Sequence, residues 1–307
     1  LALFKLFEEI AMNDLIRLGS YPIVFGITAF TQLLLIEAAV PHWPSAILVA
    51  TAGMGLVAIL ERVLPYEKSW NHDHGDTIAD IFHAIFSLGF IFASVEIAQK
   101  IRALIPISTV WPDSLPLWIQ VVVAGFIIDF GLWFMHWLSH KSSSLWKLHA
   151  LHHSSERLYW LNGERRHPLS ALLLAGPGTL IAIALGASAE VVGCWYSIIS
   201  VHLAFQHSNL NYTVGPLRNI FGVAEVHRWH HKREYEVAQV NFGEFWMIWD
   251  QFFGTFHHAV KGVKKGEVGI YEKMPTTYWK QILWPFQRKS SIYKKRVQSD
   301  SKSTVSK

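Results

Sequence analysis

The sequence predicts an all-α integral membrane protein: a polytopic bundle of about four to six membrane-embedded helices with a cytosolic, histidine-rich di-metal cap. Three observations carry that expectation. Of the 307 residues 51% are hydrophobic and only 16% charged, against roughly 25% charged in an ordinary soluble domain. Apolar runs of spanning length recur from residue 21 to about residue 206 with no long polar linker, so residues 21–258 read as one integrated domain. Eight of the 17 histidines gather in three short clusters, the first of which begins where one of those runs ends.

The elements follow in chain order. LALFKLFEEIAMNDLIRLGS places Leu3, Leu6, Phe7 and Ile10 at helical spacing among Glu8, Glu9 and Asp14. A secretory signal has a basic start and an uninterrupted apolar core, so residues 1–20 are expected to form an amphipathic helix at the membrane surface. Crossing roughly 30 Å of hydrocarbon takes about 20 mostly apolar residues. Residues 21–40, 45–63, 78–98, 116–138, 169–186 and 189–206 approach that length. AGPG at 175–178 interrupts the fifth, which predicts a strong kink or a re-entrant pair with the sixth.

With six crossings, the end of the fourth, the start of the fifth and the end of the sixth share one side of the bilayer, and so does every histidine cluster. The connections at 41–44 and 187–188 lack Lys and Arg, whereas Lys5, Arg17 and the C-terminal region are basic. The positive-inside rule then places both termini and the histidine face in the cytosol, although Lys100 and Arg102 count against it. Residues 259–307 read as a basic C-terminal tail, with YWKQILWPF at 278–286 as a short interfacial segment. Its charge suits anionic lipid headgroups, and no nucleic-acid partner is expected. A single cysteine, Cys194, precludes an intrachain disulfide.

Histidine spacing carries the chemistry. His136 and His140 stand four apart at the end of the fourth helix, which puts both rings on one face. HALHH supplies His149, His152 and His153, and HRWHH supplies His227, His230 and His231; in a helix each triplet is expected to point three rings one way. A lone histidine on an apolar helix is usually a hydrogen-bonded core residue. Three clusters at a membrane interface, where uncompensated polar groups cost most, point instead to metal. A structural zinc site closes with four ligands and a catalytic one keeps three plus water. Eight imidazoles without cysteine overfill one such site, whereas two metals with four or five nitrogens each and an open position fit. Imidazole suits zinc, copper, iron and nickel alike. A metal transporter would distribute its histidines through the bilayer depth, and a zinc lipid hydrolase would show HExxH, which does not occur in the sequence.

The order HWLSH, HALHHSSE, RRHP, FQHSN, HRWHH and NFGEFWMIWDQFFGTF resembles the fatty acid hydroxylase and sterol desaturase superfamily of membrane di-iron oxidoreductases, especially its bacterial branch and the alkylglycerol monooxygenases. The resemblance implies that His136, His140, His149, His152, His153, His227, His230 and His231 are metal ligands. It adds His167 and His207, with His202 as a further candidate whose i, i+5 offset from His207 shares a helical face poorly. Asp129, Glu156, Arg165, Asn241 and Asp250 are candidates for orienting the ligands, because metal-bound histidines usually donate their other N–H to an acceptor. His42 and His83 read as structural, and His72, His74, His257 and His258 as surface residues.

The implied cofactors are two Fe ions, replaceable by zinc in a purified protein, with O2 as co-substrate. The implied reaction removes hydrogen from an unactivated C–H bond of a fatty acyl chain, sterol or alkylglycerol, giving a hydroxyl group or a double bond. No CxxCH motif or cysteine quartet occurs in the sequence, so a separate electron donor is expected. Trp137, Ala224 and Glu225 depart from the usual pattern and bear on the substrate rather than on the metals.

Overall fold

The computed structural model describes residues 2–105 and 109–287, with side chains from residue 10 onward. Ten α-helices occur in this part of the chain: α1 (Ala2–Glu37), α2 (His42–Val63), α3 (Thr77–Ala103), α4 (Leu117–Lys141), α5 (Ser143–His153), α6 (Pro168–Leu185), α7 (Ala189–His207), α8 (Ala224–His230), α9 (Ile248–Phe252) and α10 (Tyr278–Leu283). No strand is present among the described residues; extended pairing is limited to isolated bridges such as Pro65 with Leu210.

Five helices are long and apolar enough to cross a membrane: α1 from Ile10, α2, α3, α4 and α6. Each turns large apolar side chains outward, among them Ile27 and Phe30, Leu48 and Ile59, Ile85 and Phe90, Val122 and Phe126, and Leu180 and Ile181. Exposure on this scale fits lipid contact rather than water. The sixth expected crossing, α7, behaves differently. Every residue from Val191 to His207 is buried, because α7 packs against α1, α2 and α4 at the centre of the bundle. Its interior position lets it carry Ser197, Ser200, His202 and Gln206, which dilute the hydropathy that marks the outer five.

Two expectations about helix breaks are corrected. The surface helix at the N-terminus and the first span are one helix, α1, which passes through Pro22 without ending. Likewise, α6 continues through Pro177 as one helix from Pro168 to Leu185, so AGPG does not divide it into a re-entrant pair. The second glycine of AGPG, Gly178, serves packing. A Cβ on Gly178 would stand 2.6 Å from the Ile128 carbonyl, and one on Gly131 would stand 2.5 Å from the Gly178 nitrogen. These two glycines therefore let the α4 and α6 backbones touch.

Three outer helices each bury one carboxylate that holds the polar cap to the bundle. Glu61 of α2 accepts from the backbone N–H groups of Trp160 and Asn209, both at 3.0 Å. Asp80 of α3 pairs with Arg165 and accepts from the Tyr159 hydroxyl at 2.7 Å. Asp129 of α4 accepts from the N–H groups of Phe245 (2.8 Å) and Trp246 (3.1 Å) and from Trp249 Nε1 (3.1 Å). The first part of the expected tail is folded onto this cap. Val263 and Val268 are buried with Trp70 and Leu158, and Gln281 accepts from His83 Nε2 at 2.8 Å. Residues 288–307, which carry most of the tail's basic run, lie outside the described residues.

Candidate metal centre

Four helices deliver nine imidazoles to one end of the bundle. The last two turns of α4 give His136 and His140, α5 gives His149, His152 and His153, α7 ends on His207, and α8 with its C-cap gives His227, His230 and His231. They fall into two groups, each with ligand nitrogens within 4.8 Å of one another. The first contains His136, His140, His149, His153 and His230; the second contains His152, His207, His227 and His231.

The expectation that each triplet points one way is therefore corrected. On a helix, residues four apart share a face, while consecutive residues are about 100° apart. His149 and His153 enter the first group while His152 enters the second, and His227 and His231 enter the second while His230 enters the first. Both α5 and α8 thus straddle the pair of sites.

The nitrogens fit metal better than they fit one another. His153 Nε2 lies 3.1 Å from both His140 Nε2 and His149 Nε2. His207 Nε2 lies 3.3 Å from His152 Nε2 and 3.1 Å from His227 Nε2, and His227 Nε2 lies 3.2 Å from His231 Nε2. Metal–nitrogen bonds of about 2.1 Å place neighbouring ligand nitrogens roughly 3.0–3.4 Å apart in octahedral to tetrahedral sites, and the observed spacings fall in that interval.

Several tautomers are fixed by carbonyl acceptors. His136 Nδ1 donates to Phe242 O (2.8 Å), His207 Nδ1 to Leu203 O (2.9 Å) and His230 Nδ1 to Val240 O (2.8 Å). Each ring thereby turns a bare Nε2 lone pair inward, and Nε2 of His136 and His230 are buried without a hydrogen-bond partner. Buried, unsatisfied lone pairs are costly, and a cation relieves that cost. Burial, reinforced by the neighbouring imidazoles, pushes His149, His152, His153, His227, His230 and His231 well below the ordinary histidine range, so they stay neutral, as metal ligation requires.

One loop sets much of this. Asn241 adopts a left-handed backbone (φ 53°), and the residues on either side aim their carbonyls at His230 and His136. The Asn241 side chain donates to Val226 O (2.8 Å) and His257 O (2.7 Å), tying the loop to α8. Asp250 accepts from the N–H groups of Phe242 and Gly243, and Asp129 grips the next residues. The hydrogen bonds of these three expected residues thus go to the loop and its neighbours rather than to an imidazole. Arg165 acts on α5 instead, donating to the Leu151 carbonyl at 3.3 Å while paired with Asp80.

Three expectations do not hold. His167 caps α6, its Nδ1 accepting from the Leu169 N–H and its Nε2 donating to Ile282 O, so neither nitrogen is left for a metal. His202 is likewise engaged, accepting from the Tyr21 hydroxyl and donating to Gly222 O. Glu156 is an exposed side chain 3.4 Å from Arg233. Conversely, the sequence reading passed over Glu244, whose buried carboxylate lies 3.5 Å from His136 Nδ1 and 3.0 Å from Arg166. It stands inside NFGEF, but nothing in the spacing links a loop glutamate to a distant helix.

Fold and site together define a polytopic helical membrane protein with a twin imidazole centre. A fatty acid hydroxylase domain matches residues 121–255, and the chain is 34% identical to the ornithine lipid hydroxylase OlsE of Rhizobium tropici, over 80% of this chain and 76% of that protein. The chain belongs to the fatty acid hydroxylase/sterol desaturase superfamily. That membership makes it an integral membrane oxidoreductase of lipid metabolism. No solved structure matches it.

Proposed function

We propose that this protein is an O2-dependent, non-haem di-iron hydroxylase of a membrane lipid, with the five-histidine and four-histidine groups each holding one iron. The observation that carries the reading is the convergence of nine buried imidazoles into two adjacent groups at one end of a lipid-facing bundle. Their gathering at that end disfavours an ion path, which would string ligands through the bilayer. The hydroxylase name of the relative favours hydroxylation over desaturation, and an ornithine-headed acyl lipid is the first substrate to test.

Iron bound there and reduced by a separate electron donor supplies O2 activation and removal of hydrogen from an unactivated C–H bond. The protein's part is position and exclusion of water. Carbonyls of Leu203, Val240 and Phe242 hold ring orientation, and Trp146 and Phe242 pack beside His140 with ring centroids 4.8 and 5.1 Å away. The outer helices bring an apolar substrate within the membrane plane, and the histidine end faces the cytosol by the positive-inside argument, where reductant is available.

The test compares purified protein and a His152→Ala variant for iron content, reductant-dependent O2 uptake and the lipids of expressing cells. The expected result is iron-dependent uptake with a lipid gaining one oxygen atom, both lost in the variant with part of the iron. O2-independent lipid cleavage, or transmembrane metal flux, would refute the reading.

A further inference from the structure

A second polar site lies away from the histidines but at the same end of the bundle. A cavity of about 470 Å³ is lined by Arg17 of α1, Tyr66 just beyond α2, residues 211–213, Arg218, Glu225 and Arg228 of α8, and residues 258–260, 262 and 263. Three guanidinium groups face a single carboxylate. That carboxylate is consumed: Glu225 accepts from Arg218 (2.7 Å), the Thr213 hydroxyl (2.8 Å) and the Val214 N–H (2.9 Å). Arg228 is 4% exposed and stacks 3.8 Å from the Tyr66 ring. It donates through Nη2 to the Ser208 and Leu210 carbonyls, yet its Nε is buried without a partner. Arg17 has no ion pair among the described residues.

The pocket runs from the exposed Arg17 to the buried Arg228 and sets three guanidinium groups against one carboxylate, an excess of cations that calls for an oxyanion, since guanidinium forks match phosphate geometry. Position identifies the carrier. Arg17 is flanked on α1 by Leu15 and Leu18, 61% and 60% exposed, and Val260 on the rim is fully exposed. Apolar side chains facing outward beside a basic pocket at the end of spanning helices match the boundary between acyl chains and headgroups. We infer that this pocket binds the phosphate of an anionic bilayer lipid. Arg228 stands between His227 and His230, so an occupied pocket also braces α8 from its outer side.

The experiment uses the full chain in neutral detergent, with tryptophan-fluorescence melting as readout. Phosphatidylglycerol, phosphatidylcholine and inorganic phosphate are titrated separately into wild type, Arg17→Lys and Arg17→Glu. Arg17 belongs to neither histidine group, and these variants are expected to melt as wild type without additive. Phosphatidylglycerol is expected to raise the melting temperature saturably and phosphatidylcholine not to. The half-saturating concentration should hold within about twofold for Arg17→Lys and rise more than about fivefold for Arg17→Glu, since one surface cation is worth about fivefold in anionic-lipid binding. Equal responses to the two lipids, or Arg17→Glu titrating like wild type, would overturn the inference. Stabilisation by inorganic phosphate with none by phosphatidylglycerol would reassign the pocket to a soluble phosphate and overturn the lipid half.

Discussion

Asp129→Asn tests how the loop governs the metal centre. Asp129 accepts three hydrogen bonds, Phe245 N–H on one oxygen and Trp246 N–H with Trp249 Nε1 on the other. Asparagine keeps one acceptor, so its better orientation preserves two neutral bonds and turns an NH2 group toward the third donor. Hydrogen bonds to a charged group contribute about 1.5–3 kcal/mol and an unsatisfied buried donor costs about 1–3 kcal/mol. A net loss of about 2–4 kcal/mol follows, concentrated on the loop. Asp250 still holds Phe242 and Gly243, so the fold should survive while the Phe242 carbonyl loses its fixed aim at His136. Disturbing such a support typically lowers metal affinity about 10–100-fold. The assay is iron per chain by mass spectrometry after dialysis against a graded chelator, beside a melting curve. A variant that melts several degrees lower yet keeps wild-type iron at every chelator concentration would refute the proposed link from carboxylate to imidazole.

Four further outcomes are expected. His153→Ala and His152→Ala each remove a ligand from a different group and should each lose about one of two metal equivalents, whereas His167→Gln should retain both; equal loss in all three, by elemental analysis, would contradict the grouping. Gly178→Val should destabilise the bundle by at least about 1–3 kcal/mol by overpacking, while Gly176→Ala, with nothing within 4 Å of its added carbon, should be neutral or stabilising in detergent melting. Asn241→Ala leaves at φ 53° a residue that tolerates the left-handed region less well than asparagine and lacks its bonds to Val226 and His257; a backbone cost of at most about 1–2 kcal/mol plus the lost bonds should appear as reduced iron retention. Removing metal with a chelator should lower the melting temperature and speed amide exchange in α5 and α8, because an ion bound only by the folded state stabilises it; unchanged exchange would exclude a metal role in holding the cap.

Much of the outer architecture was legible because lipid selects for composition: five runs long and apolar enough to span are five exposed helices. The interior was less so. α7 looks like another span by length, but its burial comes from neighbours that sequence periodicity does not reveal. The histidine triplets announced a metal centre through their spacing, yet their division between two groups depends on helix rotation and on which partners face each side. His167 shows the converse: a motif histidine becomes a helix cap because its N–H and lone pair meet Ile282 and Leu169. Glu61, Asp80 and Asp129, polar residues inside apolar helices, prove to be the points at which the cap is fastened. Only Asp129 stood out beforehand, since it alone sits two turns before His136.

The paired neighbours His152–His153 and His230–His231 have a mechanical consequence. Each pair spans the gap between the two groups through one stiff stretch of backbone, so α5 and α8 act as two callipers. Rolling either helix about its own axis would open one cradle as it crowds the other, and inserting a single residue beside either pair would spoil both at once. The separation of the twin cradles is thereby gauged by peptide geometry, and neither can be retuned alone.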